Sequence, residues 1–397
     1  MRPVNKTAIV VALGSAQTLA WGSTYYLPAI LAAPIARDLA VPTSWIFGCF
    51  SGALLLSAVL GPSVGRRIDR HGGRGVLSAS NLVFAAGLAT LGSAHGFAGV
   101  IAAWILLGIG MGAGLYDAAF AALTSLYGRH ARGPITGITL IAGLASTICW
   151  PISAALDAEY GWRTACFVWA GAHLLIGLPL NLLLGGPGAS IATTTTGRLH
   201  DAPQQRRAMY VLGFVFAAAW FVTGAMAAHL PRLLEAAGTS ATAAIAAAAL
   251  VGPAQVAARL AEFGFLRRAH PLISARIAAS THPIGAIVFV LAGGGPLAAG
   301  AFALLHGAGN GLLTIARGTL PLAIFGPVGY GLRSGLIGAP ARATQAIAPF
   351  LFSIVLDAGG PRMALVLSSS MTLAALGGLL MLRTGRDGGA VRSADPA

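Results

Sequence analysis

The sequence predicts an all-α membrane protein, with twelve transmembrane helices in two six-helix halves. Composition is the first reason: of 397 residues, 56% are apolar and 9% charged, with a mean hydropathy of +0.78. Soluble globular chains average about 25% charged and 45–50% apolar residues, and a surface facing lipid needs no such charge. Repetition is the second. Trp21 returns as Trp220, Gly112-Ala113-Gly114-Leu115 as Gly309-Asn310-Gly311-Leu312, and Leu126-Tyr127-Gly128 as Ile324-Phe325-Gly326. Leu156-Asp157 returns as Leu356-Asp357 and Gly161-Trp162-Arg163 as Gly360-Pro361-Arg362, all at offsets of 197 to 200 residues. A parallel repeat of that period is a duplicated helical bundle. Length is the third: twelve equal shares of the 397 residues hold roughly 33 residues each, enough for spans of about 20–25 with short connections.

Apolar runs place the first six helices at 8–33, 44–65, 75–94, 99–127, 134–157 and 163–185. The second six fall at 208–231, 241–264, 273–293, 297–325, 334–358 and 362–383. The first run is too long for a signal-peptide core and leads straight into a second span. Outward connections such as His95-Gly96 and the segment from Gly293 to Pro296 are very short. In the fourth and tenth helices, Gly108 and Gly112, Gly110 and Gly114, and Gly307 and Gly311 stand in pairs one turn apart. Small residues so spaced let backbones approach, which puts both helices against neighbours rather than lipid. Between the halves, 186–207 is polar and rich in Gly and Thr, including the run Thr193 to Thr196, and reads as a flexible linker. The expected units are therefore 1–185, 186–207 and 208–397.

The net charge is +14, and its distribution separates a membrane protein from a nucleic-acid binder. Arg2, Lys6, Arg66, Arg67, Arg70, Arg74, Arg129, Arg132, Arg198, Arg206, Arg207, Arg267, Arg268, Arg333, Arg383, Arg386 and Arg392 fall in alternate connections or at the ends. The intervening connections hold only Arg37, Arg163, Arg232 and Arg362. By the positive-inside rule both termini are cytoplasmic. No P-loop, zinc-ligand spacing or nucleophile elbow occurs, so the sequence suggests neither an enzyme nor a cofactor or metal. Cys49, Cys149 and Cys166 lie inside apolar spans and form no disulfide framework.

Between the second and third helices stands Gly65-Arg66-Arg67-Ile68-Asp69-Arg70-His71-Gly72-Gly73-Arg74. This resembles the G-x-x-x-D-R-x-G-R loop signature of the major facilitator superfamily, with the last Arg displaced by one residue. The turn Gly161-Trp162-Arg163 is also common there, and the likeness covers the whole chain. The second-half copy is eroded to Gly264-Phe265-Leu266-Arg267-Arg268. Trp104 stands where the family usually has an Arg, and Cys149-Trp150-Pro151 replaces the antiporter Gly-Pro. The resemblance implies a secondary transporter of the bacterial inner membrane, working as a monomer by alternating access. It also implies that Gly65, Asp69, Arg70, Gly72 and Arg74 form an inner gate, with Gly65 packing at the helix end, Gly72 turning the chain and Asp69 pairing with an Arg.

Ionisable and polar side chains at bilayer depth are functional candidates by default. On the tenth helix His306, Asn310, Thr314 and Arg317 share one stripe at i, i+4, i+8 and i+11, and on the first helix Ser15, Thr18, Gly22 and Tyr25 do the same, beside Tyr26. The eleventh adds Arg342 and Gln345. Family likeness puts helices one, four, seven and ten around a central cavity, so these residues are candidate substrate contacts. At about 1.5 Å per residue, Asp117 lies ~6 Å, Arg317 ~9 Å and Arg342 ~6 Å to the cytoplasmic side of their helix midpoints. They can share a layer, and Asp117 is expected to pair with Arg317 or Arg342 across the halves, either as a fixed ion pair or as the proton-coupling group. Arg259 and Glu262 on the eighth helix read as an inner gate or a snorkelling pair. His229 reads as a gate or helix-end residue, and His173 and His282 as packing residues.

Arginines outnumber acids within the spans, which favours a small anionic or polar organic solute, monocarboxylates among the candidates, with protons as the coupling partner. The alternative is proton-coupled efflux of a drug or a thiol-seeking metalloid resembling arsenite, for which the three cysteines offer soft ligands. A channel or a receptor would not need the two-fold repeat.

Overall fold

The computed structural model describes residues 5–185 and 203–382, and within them every regular element is helical. Twelve spans follow one another among the described residues. In the first half, α1 comprises Lys6–Ala20, a wide turn at Trp21–Tyr25 and Pro28–Asp38; α2 is Thr43–His71 and α3 Gly73–Gly92. Next, α4 is Phe97–Gly114 plus Tyr116–Tyr127, α5 is Arg132–Ala142 plus 145–160, and α6 is 162–182. In the second half, α7 is Pro203–Ala236 and α8 runs from Ala241 to Leu266 in three pieces. It is followed by α9, Pro271–Leu291; α10, Pro296–Phe325; α11, 330–359; and α12, 361–381.

The repeat is visible in the turns. Gly161 (φ 82°) and Gly360 (φ 67°) each separate two spans that are otherwise continuous, and a left-handed φ of that size suits glycine. Gly72 (φ 79°) stops α2 and starts α3, the turn its sequence predicts. Residues 203–207, expected in the linker, already belong to α7, because Pro203 at a first helical position lacks only an N–H that would be unpaired there anyway. The rest of the expected linker, with Thr193 to Thr196, and Arg2, Arg198, Arg383, Arg386 and Arg392 lie outside the described residues.

Each half carries two apolar clusters, one toward each end of the bundle. Large apolar side chains such as Val59, Leu175, Phe265 and Leu297 point outward, at 75 to 91% exposure, a surface suited to lipid. Helix α4 is wedged as its glycines suggest: Gly108 and Gly112 face Ala53 and Ser57 of α2, while Gly110 and Gly114 face Phe84 and Ser80 of α3.

The halves meet along two seams near the face that carries the loop at Gly72, called here the basic face. In the first, α2 and α11 touch backbone to backbone. A Cβ added to Gly335 would lie 2.6 Å from the Gly61 carbonyl, and Gly65 faces Gly331 one turn on. Gly65 therefore sits inside α2, not at its end, and its close neighbour belongs to the other half. Asp69 Oδ1 and Oδ2 accept the N–H groups of Gly331 and Leu332, both at 2.8 Å, which caps the first turn of α11. Arg333 adds positive charge nearby, while Arg70 and Arg74 are exposed. In the second seam, Arg132 of α5 donates to the carbonyls of Leu266 (3.1 Å) and Ala269 (2.6 Å) and to Glu262 Oε1 (3.2 Å). Glu262 is 1% exposed. It pairs with Arg132 of the opposite half rather than with its i−3 neighbour Arg259, whose head reaches Gln255 and Thr139 instead.

Candidate functional site

Between the seams and the opposite face the two halves enclose an open cavity of about 160 Å³. Breaks in helices shape it. In α1 the wide turn at Trp21–Tyr25 admits an extra residue, which lets Trp21, Tyr25 and Tyr26 all face inward. In α4 the chain is extended at Leu115 (φ −86°, ψ −172°), so Asp117 opens the first turn of a new helix, where the positive helix end favours a carboxylate. Gln17 donates its side-chain N–H to the Gly114 carbonyl at 2.6 Å, satisfying a group at the break that lipid would not.

Asp117 is buried and bridges the halves. Its Oδ2 accepts from Arg317 Nη2 at 2.7 Å and from Arg342 Nη2 at 2.5 Å, so both expected partners are present at once. Arg342 Nη1 also donates to the Ser57 carbonyl at 2.8 Å, and Arg317 lies 4.7 Å over the Trp220 ring. Asp117 Oδ1 has no hydrogen-bond partner. Three guanidiniums, those of Arg259, Arg317 and Arg342, and the single carboxylate of Asp117 line the cavity. Positive charge is in excess by two.

Among the other residues singled out by sequence, Asn310, Thr314 and Gln345 line the cavity with Tyr25 and Tyr26. Asn310 Oδ1 accepts from Thr223 at 3.2 Å, Thr314 donates to the Asn310 carbonyl at 2.9 Å, and Gln345 donates to the Tyr25 hydroxyl at 2.6 Å across the halves. His306 is placed elsewhere. Its Nδ1 lies 3.0 Å from His282 Nδ1 of α9, with both rings beside Phe302. Arg317, only about 20° away at 100° per residue, lines the cavity, so it is the pairing with His282 rather than helix rotation that holds His306 off it. His229 bonds the Pro349 carbonyl at 2.8 Å within its own half. His173, fully buried, joins Ser23 (2.8 Å) and Asn81 (2.9 Å), a polar network that lies deeper than simple packing.

Sequence reasoning missed Trp21, Tyr116, Trp220 and Thr223, which also line the cavity, as does Gln255, a polar residue of the eighth span. The repeat of Trp21 as Trp220 is the one signal that marks two of them. The three cysteines stay apart: Cys149 packs on Gly22, and no group of three His, Cys, Asp or Glu able to hold a metal occurs among the described residues.

Comparison with known proteins follows the same lines. No curated protein sequence matches the chain. Solved structures do. The human organic anion transporter MFSD10 superposes with a TM-score of 0.73 at 16% identity, over 94% of this chain and 98% of that one. The fucose:proton symporter FucP of E. coli gives 0.69 at 15% identity over 94% and 98%. The proton:xylose symporter XylE gives 0.70 at 14% over 94% and 95%. At these identities the likeness is one of fold. A sequence profile of the Major Facilitator Superfamily matches residues 13–305, and with twelve apolar spans around an interhalf cavity the chain is a multi-pass membrane transporter that belongs to that superfamily.

Proposed function

We propose that the protein moves a small anionic or polar organic solute across a bacterial inner membrane by alternating access, coupled to protons at Asp117. The observation that carries this reading is the interhalf ion pair on the cavity wall: Asp117 of α4 on Arg317 of α10 and Arg342 of α11. The solved structures it resembles are named for an organic anion and for sugars, so the cargo is argued from the side chains. Two surplus positive charges at bilayer depth favour an anion.

In this reading the basic face is cytoplasmic and is sealed by the two seams, so the cavity is loaded from the other side. A solute carboxylate anywhere in the cavity attracts Arg317 and Arg342 and so weakens their hold on Asp117. Once its cation leaves, a buried carboxylate favours its protonated form, and a proton from the loading side settles on Asp117. The neutral group no longer ties the halves, which frees them to rock about the site. The cavity lies within one chain, in keeping with a monomer.

Counterflow and pH-driven uptake of candidate anions in proteoliposomes test the coupling. Asp117→Asn is expected to abolish accumulation driven by a pH gradient while solute exchange persists. Unchanged pH dependence overturns the role of Asp117.

A further inference from the structure

Arg259 is the cavity cation that the ion pair leaves over. It is 5% exposed, and no carboxylate reaches it among the described residues. Its Nη2 donates to Gln255 Oε1 at 3.1 Å, its Nη1 makes a long 3.4 Å contact with the Thr139 carbonyl, and its Nε has no partner. The head crosses from the second half into a notch of the first, where α5 is broken at Gly143 and Leu144. A Cβ on Gly143 would strike Arg259 Nη1, so the backbone there leaves room for this guanidinium. A buried cation with no counter-ion is a poor arrangement unless a ligand supplies the charge.

The surroundings of Arg259 are aromatic. Tyr26 and Tyr116 line the same cavity as its guanidinium. The Trp21 ring centroid lies 4.8 Å from that of Tyr116, 5.0 Å from Tyr25 and 6.0 Å from Tyr26. Two of the polar atoms opposite are already bonded: Asn310 Oδ1 to Thr223, and Gln345 Nε2 to Tyr25. A flat ring needs faces and edges to stack on, and this cluster supplies them. Resting on the transport reading of this cavity, we propose that its substrate is an aromatic carboxylate, with the carboxylate on Arg259 and the ring against Trp21, Tyr26 and Tyr116.

The test is equilibrium binding of radiolabelled phenylacetate to the purified full chain in nanodiscs, with unlabelled competitors. Phenylacetate is expected to bind, phenylacetamide to compete at least tenfold more weakly, and glucuronate not to compete. Arg259→Gln is expected to weaken phenylacetate binding at least tenfold and Arg259→Lys by less, each with the elution profile of the parent protein. Gly143→Ala, which displaces the same head without removing its charge, serves should the Arg259 variants misfold, and it is expected to weaken binding too. Absent binding, an amide as effective as the acid, competition by glucuronate, or full affinity in Arg259→Gln each overturns the proposal. The two readings fail separately. Phenylacetate that binds but never crosses proteoliposomes removes transport and leaves the site, whereas Asp117-dependent movement of another anion that phenylacetate does not inhibit removes the site alone.

Discussion

The two seams that close the basic face occupy equivalent places in the repeat, yet they are built from different chemistry. Helix α2 against α11 is closed by backbones, with Gly61 and Gly65 facing Gly335 and Gly331. Its counterpart, α8 against α5, is closed by a guanidinium, that of Arg132 reaching Glu262 and two carbonyls. Gly65 and Gly264 stand 199 residues apart, but only the first copy kept an acid four residues on. Duplication fixed the positions, and divergence then chose how each is held. Contact between glycine backbones is short-ranged and itself indifferent to pH and salt, with Asp69 the acid at its end, while an ionic seam is longer-ranged and sensitive to both. One side of the face can therefore act as a fulcrum and the other as a latch.

Four outcomes break or sharpen that contrast. Arg132→Ala strands the buried Glu262, and losing one partner of such a pair costs about 3 kcal/mol. Thermal unfolding should fall accordingly, and adding Glu262→Gln should recover most of the loss; no recovery would mean that Arg132 works through the Leu266 and Ala269 carbonyls. Gly335→Ala inserts a methyl between backbones, an overpacking of about 1–3 kcal/mol. It should raise the labelling of cysteines introduced at the basic face, whereas unchanged labelling would deny the seam its tightness. Asp69→Ala removes the cap of α11 at a cost of about 1 kcal/mol and should slow turnover while leaving substrate affinity alone.

The smallest effect is expected from pH. His270 caps α9 by accepting the Leu272 N–H at Nδ1, and burial, then Arg132 and Arg276, hold its pKa below the ordinary histidine value. Its contribution is complete above the ordinary pKa and fades as the pH falls through the depressed one. Acidification through this range should loosen the ionic seam at His270. Unfolding that shows the same pH dependence in wild type and His270→Ala would remove this role.

Much of the site was legible because helical spacing is local. Asn310, Thr314 and Arg317 share a stripe in sequence and a cavity in space, and the depths of Asp117, Arg317 and Arg342 could be counted at a fixed rise per residue. The glycine seam was not read from sequence: Gly61 and Gly65, like Gly331 and Gly335, are i,i+4 pairs, but spacing alone names no partner helix. His306 shows where counting stops. A stripe has a width, and a neighbour such as His282 decides what happens at its edge. Tyr116 and Trp21 show the same from the other side, since breaks at Leu115 and Trp21–Tyr25 re-aim them.

By itself, then, the sequence determined a duplicated twelve-span bundle and the layer in which its buried charges lie, because hydropathy, repeat period and helical rise all act along the chain. Only the tertiary structure decided that one carboxylate takes two arginines and leaves Arg259 over. It also decided that Asp69 caps a helix of the other half and that five aromatic rings gather at the cavity. Those outcomes depend on rotations at helix breaks and on contacts between spans far apart in sequence, which no local pattern encodes.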